Sequence, residues 1–107
     1  MSSALARAVN PYTMVYAATK HAVRAIHAGL RQELNPYGVR STEICPGLVG
    51  DTDLLGATDH PAVVENYKRR PYKPIASEDI TRAVIFAANT PPGVEIDVIE
   101  VKPIGQA

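Results

Sequence analysis

Apolar residues recur at helical intervals in the first third of the chain. Larger apolar side chains follow one another at spacings of three and four, and very small residues form a second stripe. The two stripes are Val23, Ile26, Leu30 and Leu34, and Ala18, Ala22, Ala25 and Gly29. This pattern predicts one long helix from about Val15 to Leu34, ended by the breakers at residues 35–38. Because small side chains let another backbone approach closely, we expect this helix to be buried on two sides.

Two later segments have the composition and alternation of strands. Residues Val39 to Cys45 are rich in β-branched side chains and are followed by Pro46-Gly47, which predicts a short strand. Residues Val94 to Val98 alternate between apolar and polar, and the pattern continues to Val101. A second, final strand is therefore expected over residues 94–101.

The segment between these strands is expected to be mostly irregular. Over residues 48–76, only a piece around Ala62 to Arg69 has a helical pattern. Ser77 is the expected N-cap of a further helix, because the two acidic residues after it suit the positive end of a helix dipole. That helix is expected to stop near Thr90, where breaker residues follow.

Helices and strands thus alternate in the order helix, strand, long loop, helix, strand. This order is typical of α/β proteins with a parallel sheet. Two parallel strands make a poor sheet alone, since such sheets normally bury both faces and have more members. We therefore expect further strands to be missing from these residues or supplied by another chain.

Composition narrows the classes of protein. The chain has 46% hydrophobic and 21% charged residues, which indicates a folded, soluble protein. Eleven basic residues balance eleven acidic ones, so no overall field attracts nucleic acid or a membrane surface. Cys45 is the only cysteine, which favours a reducing, cytoplasmic setting. No metal site is expected, because the three histidines lack the spacing of a ligand set.

Candidate chemistry lies in the segment Tyr16-Ala-Ala-Thr-Lys20. Residues four apart on a helix lie on the same face, one turn removed. A free phenol titrates near about 10, and a nearby ammonium group favours the phenolate, so such a pair is suited to proton transfer. Taken alone, this spacing also arises by structural coincidence. Other motifs are needed to distinguish a catalytic pair from such a coincidence.

Two such motifs are present. Ser3 precedes Tyr16 by 13 residues, and the predicted strand after the long helix ends in Pro46-Gly47-Leu48-Val49. The ordered set resembles the short-chain dehydrogenase/reductases. In that family a catalytic serine precedes a Tyr-x-Ala-Ser/Thr-Lys segment by this interval, and a Pro-Gly-x-Val segment follows the next strand. The resemblance covers nearly the whole chain.

The resemblance implies a fold and a set of domain limits. The fold is the C-terminal part of a Rossmann-type parallel sheet, in one partial domain over residues 1–107. Residues 1–47 correspond to the catalytic segment and strand, residues 48–76 to the loop that meets substrate and cofactor, and residues 77–107 to the last helix and strand. No segment matches the glycine-rich turn of the family's nucleotide-binding half, so the resemblance implies that this half is lacking.

The resemblance also implies roles for single residues. Tyr16 corresponds to the general acid/base that gives or takes the proton of the substrate hydroxyl, and Ser3 to the donor that polarises the carbonyl. Lys20 corresponds to the cation that acts on the tyrosine and bonds the nicotinamide ribose. Cofactor binding is implied for Tyr16, Lys20, Pro46, Gly47, Val49 and Thr52. The family's threonine sits one residue earlier than Thr52, because Gly50-Asp51 intervenes here.

A finer similarity concerns substrate and cofactor. The run Pro-Gly-Leu-Val-Gly-Asp-Thr-Asp and the ending Glu-Val-Lys-Pro are similar to a subgroup of NADP-linked dehydrogenases of 3-hydroxy acids, serine-type substrates among them. NADP is therefore favoured over NAD, although the residues that decide between them lie in the missing half. The basic run Lys68 to Arg70, with Lys73, is either a solvated face or a site for a substrate carboxylate.

Two functions remain open from the sequence. The first is the catalytic part of an NAD(P)-dependent oxidoreductase acting on a small secondary alcohol or carbonyl, inactive as an isolated chain. The second is a non-catalytic, truncated remnant that self-associates as an interaction module. In either case we expect a homo-oligomer formed through the long helix, with neither nucleic acid nor a membrane as a partner.

Overall fold

A computed structural model describes residues 1–53 and 56–107. The elements are the helix α1 (Met14–Leu34), the strand β1 (Glu43–Pro46), the helices α2 (Pro61–Lys68) and α3 (Ser77–Ala88), the strand β2 (Val98–Val101), and single 3₁₀ turns at Ala4–Ala6 and Asn35–Tyr37. The two strands pair in parallel with Glu43 opposite Val98 and Pro46 opposite Val101. The α/β class and the parallel sheet predicted from the sequence are confirmed. None of the helices in the described residues is long and apolar enough to cross a membrane.

Both strands are shorter than predicted, because side chains replace the first rungs of the ladder. The Ser41 N–H donates to Glu95 Oε1 at 2.7 Å, and the Thr42 hydroxyl donates to the carbonyl of Ile96 at 2.7 Å. Regular backbone pairing starts only at Glu43. The prediction therefore began each strand too early.

The long helix is confirmed within one residue at its start, but its predicted double burial is wrong for the described chain. Only Ala17 and His27 are buried in α1, whereas Ile26 is 62% exposed and the stripe of small residues is almost entirely exposed. The two 3₁₀ turns are the elements that pack closely on α1. The apolar faces of α1 are therefore exposed in the described chain, where they are suited to contact another protein surface.

Polar contacts, rather than apolar packing, connect α1 to the sheet. His27 Nε2 lies 3.0 Å from the carbonyl oxygen of Ser41, which can only accept, so this nitrogen carries the proton. One turn later, the Arg31 guanidinium donates to Glu95 Oε2 at 2.7 Å. These contacts orient α1 against the segments that precede the two strands, without covering its apolar stripes.

The loop after β1 is closed at its neck. Val49 and Ile75 form an isolated parallel bridge, in which the Gly50 N–H donates to the Ile75 carbonyl and the Ile75 N–H to the Leu48 carbonyl, each at 3.0 Å. The bridge therefore holds the two ends of this loop together. Within this loop α2 lies where the helical piece around Ala62 to Arg69 was predicted.

The start of α3 corrects the predicted N-cap. Ser77 is the first residue of the helix, and its N–H and hydroxyl both donate to the carboxylate of Asp51, at 2.7 and 2.8 Å. The Ser77 hydroxyl bond, with the backbone bond beside it, lowers the pKa of Asp51. A carboxylate from the loop thus serves the positive end of α3, where the prediction expected the serine side chain.

A buried ion pair lies beneath β1. The Arg7 guanidinium donates to Glu43 Oε2 at 2.9 Å and to Cys45 Sγ at 3.0 Å, and the Glu43 side chain is 3% exposed. Burial opposes ionisation of Glu43, but the nearby side chains of Ser2, Arg7 and Cys45 outweigh it and hold the pKa of Glu43 below its usual range. The carboxylate is therefore a stabilising group only while it is ionised.

We expect acid to destabilise the fold through Glu43. Because its folded pKa is depressed, its contribution is complete above the unfolded value of about 4.3 and is lost as the pH falls through the folded pKa. Urea unfolding measured between pH 7 and pH 3 should show the free energy of unfolding falling below about pH 4.5. The fall should be shallower in Glu43→Gln and unaltered in Glu65→Gln, an exposed glutamate. Equal slopes in all three proteins would contradict this role.

Candidate active site

A cleft of about 320 Å³ opens at the carboxyl end of β1. Its walls come from the N-terminal segment, the start of α1, the end of β1, the loop with α2, and the C-terminal tail. Four of the residues predicted for the site line it, namely Ser3, Tyr16, Pro46 and Gly47, whereas Lys20, Val49 and Thr52 lie outside its lining. Ligands of parallel α/β sheets bind at this end of the strands.

Tyr16 and Lys20 share one face of α1, as predicted. Tyr16 lies in the first turn and is 45% exposed. The Lys20 ammonium nitrogen lies 5.6 Å from the centroid of the Tyr16 ring. At this distance a cation is attracted by the aromatic ring, so the ammonium group stays beside the phenol at the edge of the cleft.

The two adjacent serines have different surroundings. Ser3 is 8% exposed and lines the cleft, and its Oγ accepts the Leu5 N–H at 3.1 Å, which leaves its hydroxyl proton for another acceptor. Ser2 is also buried, but it lies outside the cleft lining and its Oγ has no hydrogen-bond partner among the described residues. Ser3 has an extended backbone, in which neighbouring side chains point to opposite sides. Only Ser3 is therefore available to a molecule in the cleft.

The segment before Tyr16 is held by a compact turn. The Thr13 hydroxyl donates to the Asn10 carbonyl at 2.7 Å and accepts the Asn10 N–H at 3.1 Å. Between them Tyr12 has φ 65°, which is rare for a residue other than glycine. Asn10, Tyr12 and Thr13 all line the cleft, so this strained turn shapes the wall next to Tyr16.

The glycine of the Pro-Gly motif is required by a close contact. A Cβ at Gly47 would lie 2.6 Å from Gln106 Oε1 and 3.1 Å from the Cα of Lys102. The same Gln106 oxygen accepts the Leu48 N–H at 2.9 Å. A side chain at residue 47 would therefore force both Gln106 and the backbone at Lys102 to shift.

Alanine at this glycine and at a helical glycine should have opposite effects. Gly47→Ala is expected to cost about 1–3 kcal/mol of unfolding free energy, because backbone at Lys102 would have to shift. Gly29→Ala is the matched control, since nothing lies within 4 Å of its Cβ position and it lies inside α1. It should stabilise by about 0.5–1 kcal/mol. Urea unfolding decides, and a Gly47→Ala protein as stable as the parent would contradict the close contact.

Val49 and Thr52 lie in the loop that follows the motif. Val49 is part of the bridge at the loop neck, and Thr52 is exposed one residue beyond Asp51. The inserted Gly50-Asp51 therefore has a structural use, because Asp51 holds the start of α3. The structure does not bring Thr52 to the cleft with Tyr16, and its contact with a cofactor stays a prediction.

The basic run divides into residues with different surroundings. Arg70 lines the cleft, and its guanidinium carbon lies 4.4 Å from the centroid of the Tyr67 ring. Arg69 is 76% exposed at its side chain and pairs with Glu65 at 2.6 Å. Arg70 belongs to the basic run for which a carboxylate site was one of two alternatives, whereas Tyr67 and Gln106 were not predicted as site residues. No local motif marks them, because the fold brings them in from distant segments.

Comparison with known proteins agrees with this arrangement. The family model described as short chain dehydrogenase matches residues 1–62, which include Ser3, Tyr16, Lys20 and the Pro-Gly-Leu-Val segment. The chain therefore belongs to the short-chain dehydrogenase family.

Individual relatives are similar over most of this chain. Farnesol dehydrogenase of Aedes aegypti is 35% identical over 98 residues, which are 90% of this chain and 36% of that protein. An uncharacterised oxidoreductase of Staphylococcus saprophyticus is 38% identical over 96 residues, 90% of this chain and 37% of its own length. The chain thus spans little more than a third of the curated relatives it matches.

Solved structures give the same picture of the fold. The closed form of serine dehydrogenase complexed with NADP⁺ superposes with a TM-score of 0.84 at 30% identity, covering 99% of this chain and 43% of that one. Serine dehydrogenase from Escherichia coli superposes with a TM-score of 0.74 at 29% identity, covering 99% of this chain and 39% of that one. The described residues therefore have part of a Rossmann-type fold.

Proposed function

We propose that residues 1–107 form the catalytic part of an NAD(P)-dependent oxidoreductase that moves a hydride between nicotinamide and a secondary alcohol or carbonyl. The observation that carries the proposal is that Ser3 and Tyr16 line one cleft, with the Lys20 ammonium group beside the Tyr16 ring. The superposition on a serine dehydrogenase complexed with NADP⁺ supports NADP as the cofactor and a 3-hydroxy acid as the substrate class.

The end of β1 has the donor chemistry that a nicotinamide needs. The carboxamide oxygen of Gln106 accepts the Leu48 N–H at 2.9 Å, and the ring of a nicotinamide bears the same carboxamide group. A nicotinamide carboxamide would therefore take the place of Gln106 at this backbone donor, which supports Pro46 to Val49 as the segment that holds the ring. When bound, the nicotinamide supplies or takes up the hydride.

The proton chemistry belongs to the residues of this chain. Ser3 donates its free hydroxyl proton to the substrate carbonyl oxygen and so stabilises the negative charge that develops there. Tyr16 gives its phenolic proton to the same oxygen in reduction and accepts the hydroxyl proton in oxidation. Lys20 stabilises the phenolate that remains after the proton has left, and its ammonium group would bond the ribose hydroxyls of the cofactor.

A chimera with a relative tests the proposal. The C-terminal segment of the Escherichia coli serine dehydrogenase that this chain matches is replaced by residues 1–107. We expect the chimera to oxidise 3-hydroxy acids and to reduce NADP⁺ as it does so. The fluorescence of the NADPH formed measures the rate. The 107 residues alone should show little or no turnover, because no glycine-rich turn for a pyrophosphate lies within them. Robust turnover by the 107 residues, or a folded chimera that binds NADPH without turnover, would refute the proposal.

The exposed face of α1 favours a second function, a self-associating interaction module. Val15 and Ile26 are exposed, as are Ala18, Ala22 and Ala25 in the stripe of small residues. Exposed apolar patches of this kind usually mark an interface, and small side chains let the helices of two copies approach closely. In this reading the chain forms a homo-oligomer through α1 and needs no turnover.

Sedimentation tests the self-association that this module requires. At micromolar concentration the 107-residue chain should sediment as an oligomer, and Ile26→Lys should shift it to the monomer because the charge would be buried in the interface. Gln32→Lys, on an exposed polar residue of the same helix, is the matched control and should leave the oligomer intact. A well-folded monomer in all three proteins would exclude the module.

A further inference from the structure

The cleft has a single charged side chain in its lining. Among the described residues that form its walls, Arg70 is charged, and the others are apolar or carry neutral hydroxyl, phenol or amide groups. An arginine in a partly enclosed pocket without a lining carboxylate favours an anionic ligand, because the surroundings screen its charge less than bulk water does. The cleft is therefore electrostatically selective as well as large enough for a small molecule.

Arg70 also has no ion-pair partner within the described residues. Across residues 1–53 and 56–107, no carboxylate lies within ion-pair distance of its guanidinium, whereas the neighbouring Arg69 is engaged with Glu65. The Arg70 guanidinium carbon lies 4.4 Å from the centroid of the Tyr67 ring, a contact that holds the guanidinium beside the ring and leaves its N–H groups without a hydrogen bond to another described residue. A guanidinium held in this way is preorganised for the two parallel hydrogen bonds that a carboxylate accepts.

The backbone that presents Arg70 is anchored at several points. Arg70 follows α2, and its N–H donates to the carbonyl of Tyr67. The bridge between Val49 and Ile75 closes the loop that contains both residues. Arg70 thus reaches the cleft from the wall formed by the loop, while Ser3 and Tyr16 belong to the segments on which the reaction is proposed to occur.

We propose that Arg70 binds the carboxylate of the substrate and so selects hydroxy acids over uncharged alcohols. This assignment rests on the proposed hydride transfer, because it concerns the substrate of that same cleft. Arg70 contributes a fixed pair of donors for one end of the substrate, which orients the hydroxyl carbon at the other end toward Ser3 and Tyr16.

The kinetic test compares an acid with its uncharged ester in the chimera. For Arg70→Met, kcat/KM with 3-hydroxybutyrate should fall about 10- to 100-fold, the loss typical of hydrogen bonds to a charged group, mainly through KM. With methyl 3-hydroxybutyrate it should stay within about threefold of the parent, since the ester offers no charge to pair. Arg69→Met is the matched control and should leave both substrates unaffected. Equal changes for acid and ester, or the same acid-selective loss in Arg69→Met, would overturn the assignment.

A binding measurement separates this assignment from the proposed hydride transfer. In the ¹⁵N-labelled 107-residue chain, the Nε–H resonance of Arg70 should shift on titration with 3-hydroxybutyrate, and the methyl ester should leave it in place. A shift with acid alone supports Arg70 even if the chimera shows no turnover, in which case hydride transfer fails and carboxylate binding stands. A response at Arg69 in place of Arg70, or equal responses to acid and ester, would overturn the assignment.

Discussion

Tyr16→Phe in the chimera is expected to lower kcat/KM about 100- to 10,000-fold, the range that a general acid/base contributes. Phenylalanine keeps the ring beside Lys20 and removes only the oxygen that carries the proton. No other phenol in the described residues has an ammonium group over its ring, since the second cation–π pair in this part of the chain joins Arg70 to Tyr67. No neighbouring group is therefore expected to take over the proton.

The matched control for this change is Tyr37→Phe. Tyr37 is a highly exposed tyrosine in the 3₁₀ turn after α1, away from the cleft lining. Its variant should keep parental turnover, and circular dichroism should show both variants folded. A Tyr16→Phe chimera with more than about a tenth of the parental kcat/KM would lie outside the range for a general acid/base, and would remove Tyr16 from the chemistry.

The second large effect concerns the pair of serines. Ser3→Ala is expected to lower kcat/KM about 100- to 1,000-fold, as for the loss of one donor to a developing oxyanion. It also removes the cap of the 3₁₀ turn, because Ser3 Oγ accepts the Leu5 N–H, at a stability cost of about 1 kcal/mol. Both effects should be visible, one in the assay and the other in urea unfolding.

Ser2→Ala provides the comparison that isolates chemistry from folding. Its hydroxyl is buried near Glu43 and lies outside the cleft lining, so the variant should keep its turnover. If Ser2→Ala and Ser3→Ala lost turnover equally, the difference in orientation between the two serines would not matter. Ser3 would then have no claim to be the carbonyl donor.

The sequence alone could predict those contacts of the candidate site that depend on local helix geometry. Tyr16 and Lys20 are four apart on a helix whose extent the apolar pattern shows, so their proximity follows from helical geometry alone. The approach of Ser3 to the same cleft was predicted from the family's spacing. The glycine at residue 47 was expected from the motif, and the structure supplies its reason in the close approach of the backbone at Lys102.

Other features could not be predicted because they depend on long-range contacts. Pairing in the ladder starts at Glu43 because the Glu95 side chain takes the Ser41 N–H, which no local pattern indicates. Ser77 was expected to cap α3, but it is the first residue of the helix, and Asp51 accepts its N–H from 26 residues away. The basic run could not be resolved into Arg69 and Arg70 until the fold showed which of them enters the cleft.

The predicted burial of α1 failed for a different physical reason. Its stripes of apolar and small residues are real sequence features, but a stripe indicates only that a face is suited to burial. Within the described chain the elements packed on α1 are short turns, so Ile26 and the alanines stay exposed. The apolar pattern of the sequence predicts which face of the helix is suited to burial. Which element or protein covers that face depends on the tertiary and quaternary structure.

The most direct test of the proposed function is isotope transfer in the chimera. NADPH with deuterium at the transferable position of the nicotinamide is incubated with acetoacetate, and the product is analysed by mass spectrometry. Hydride transfer predicts 3-hydroxybutyrate with deuterium on the carbon that was the carbonyl, in an amount that matches the NADPH consumed. Oxidation of NADPH without deuterium in the product, or an unlabelled product, would contradict it.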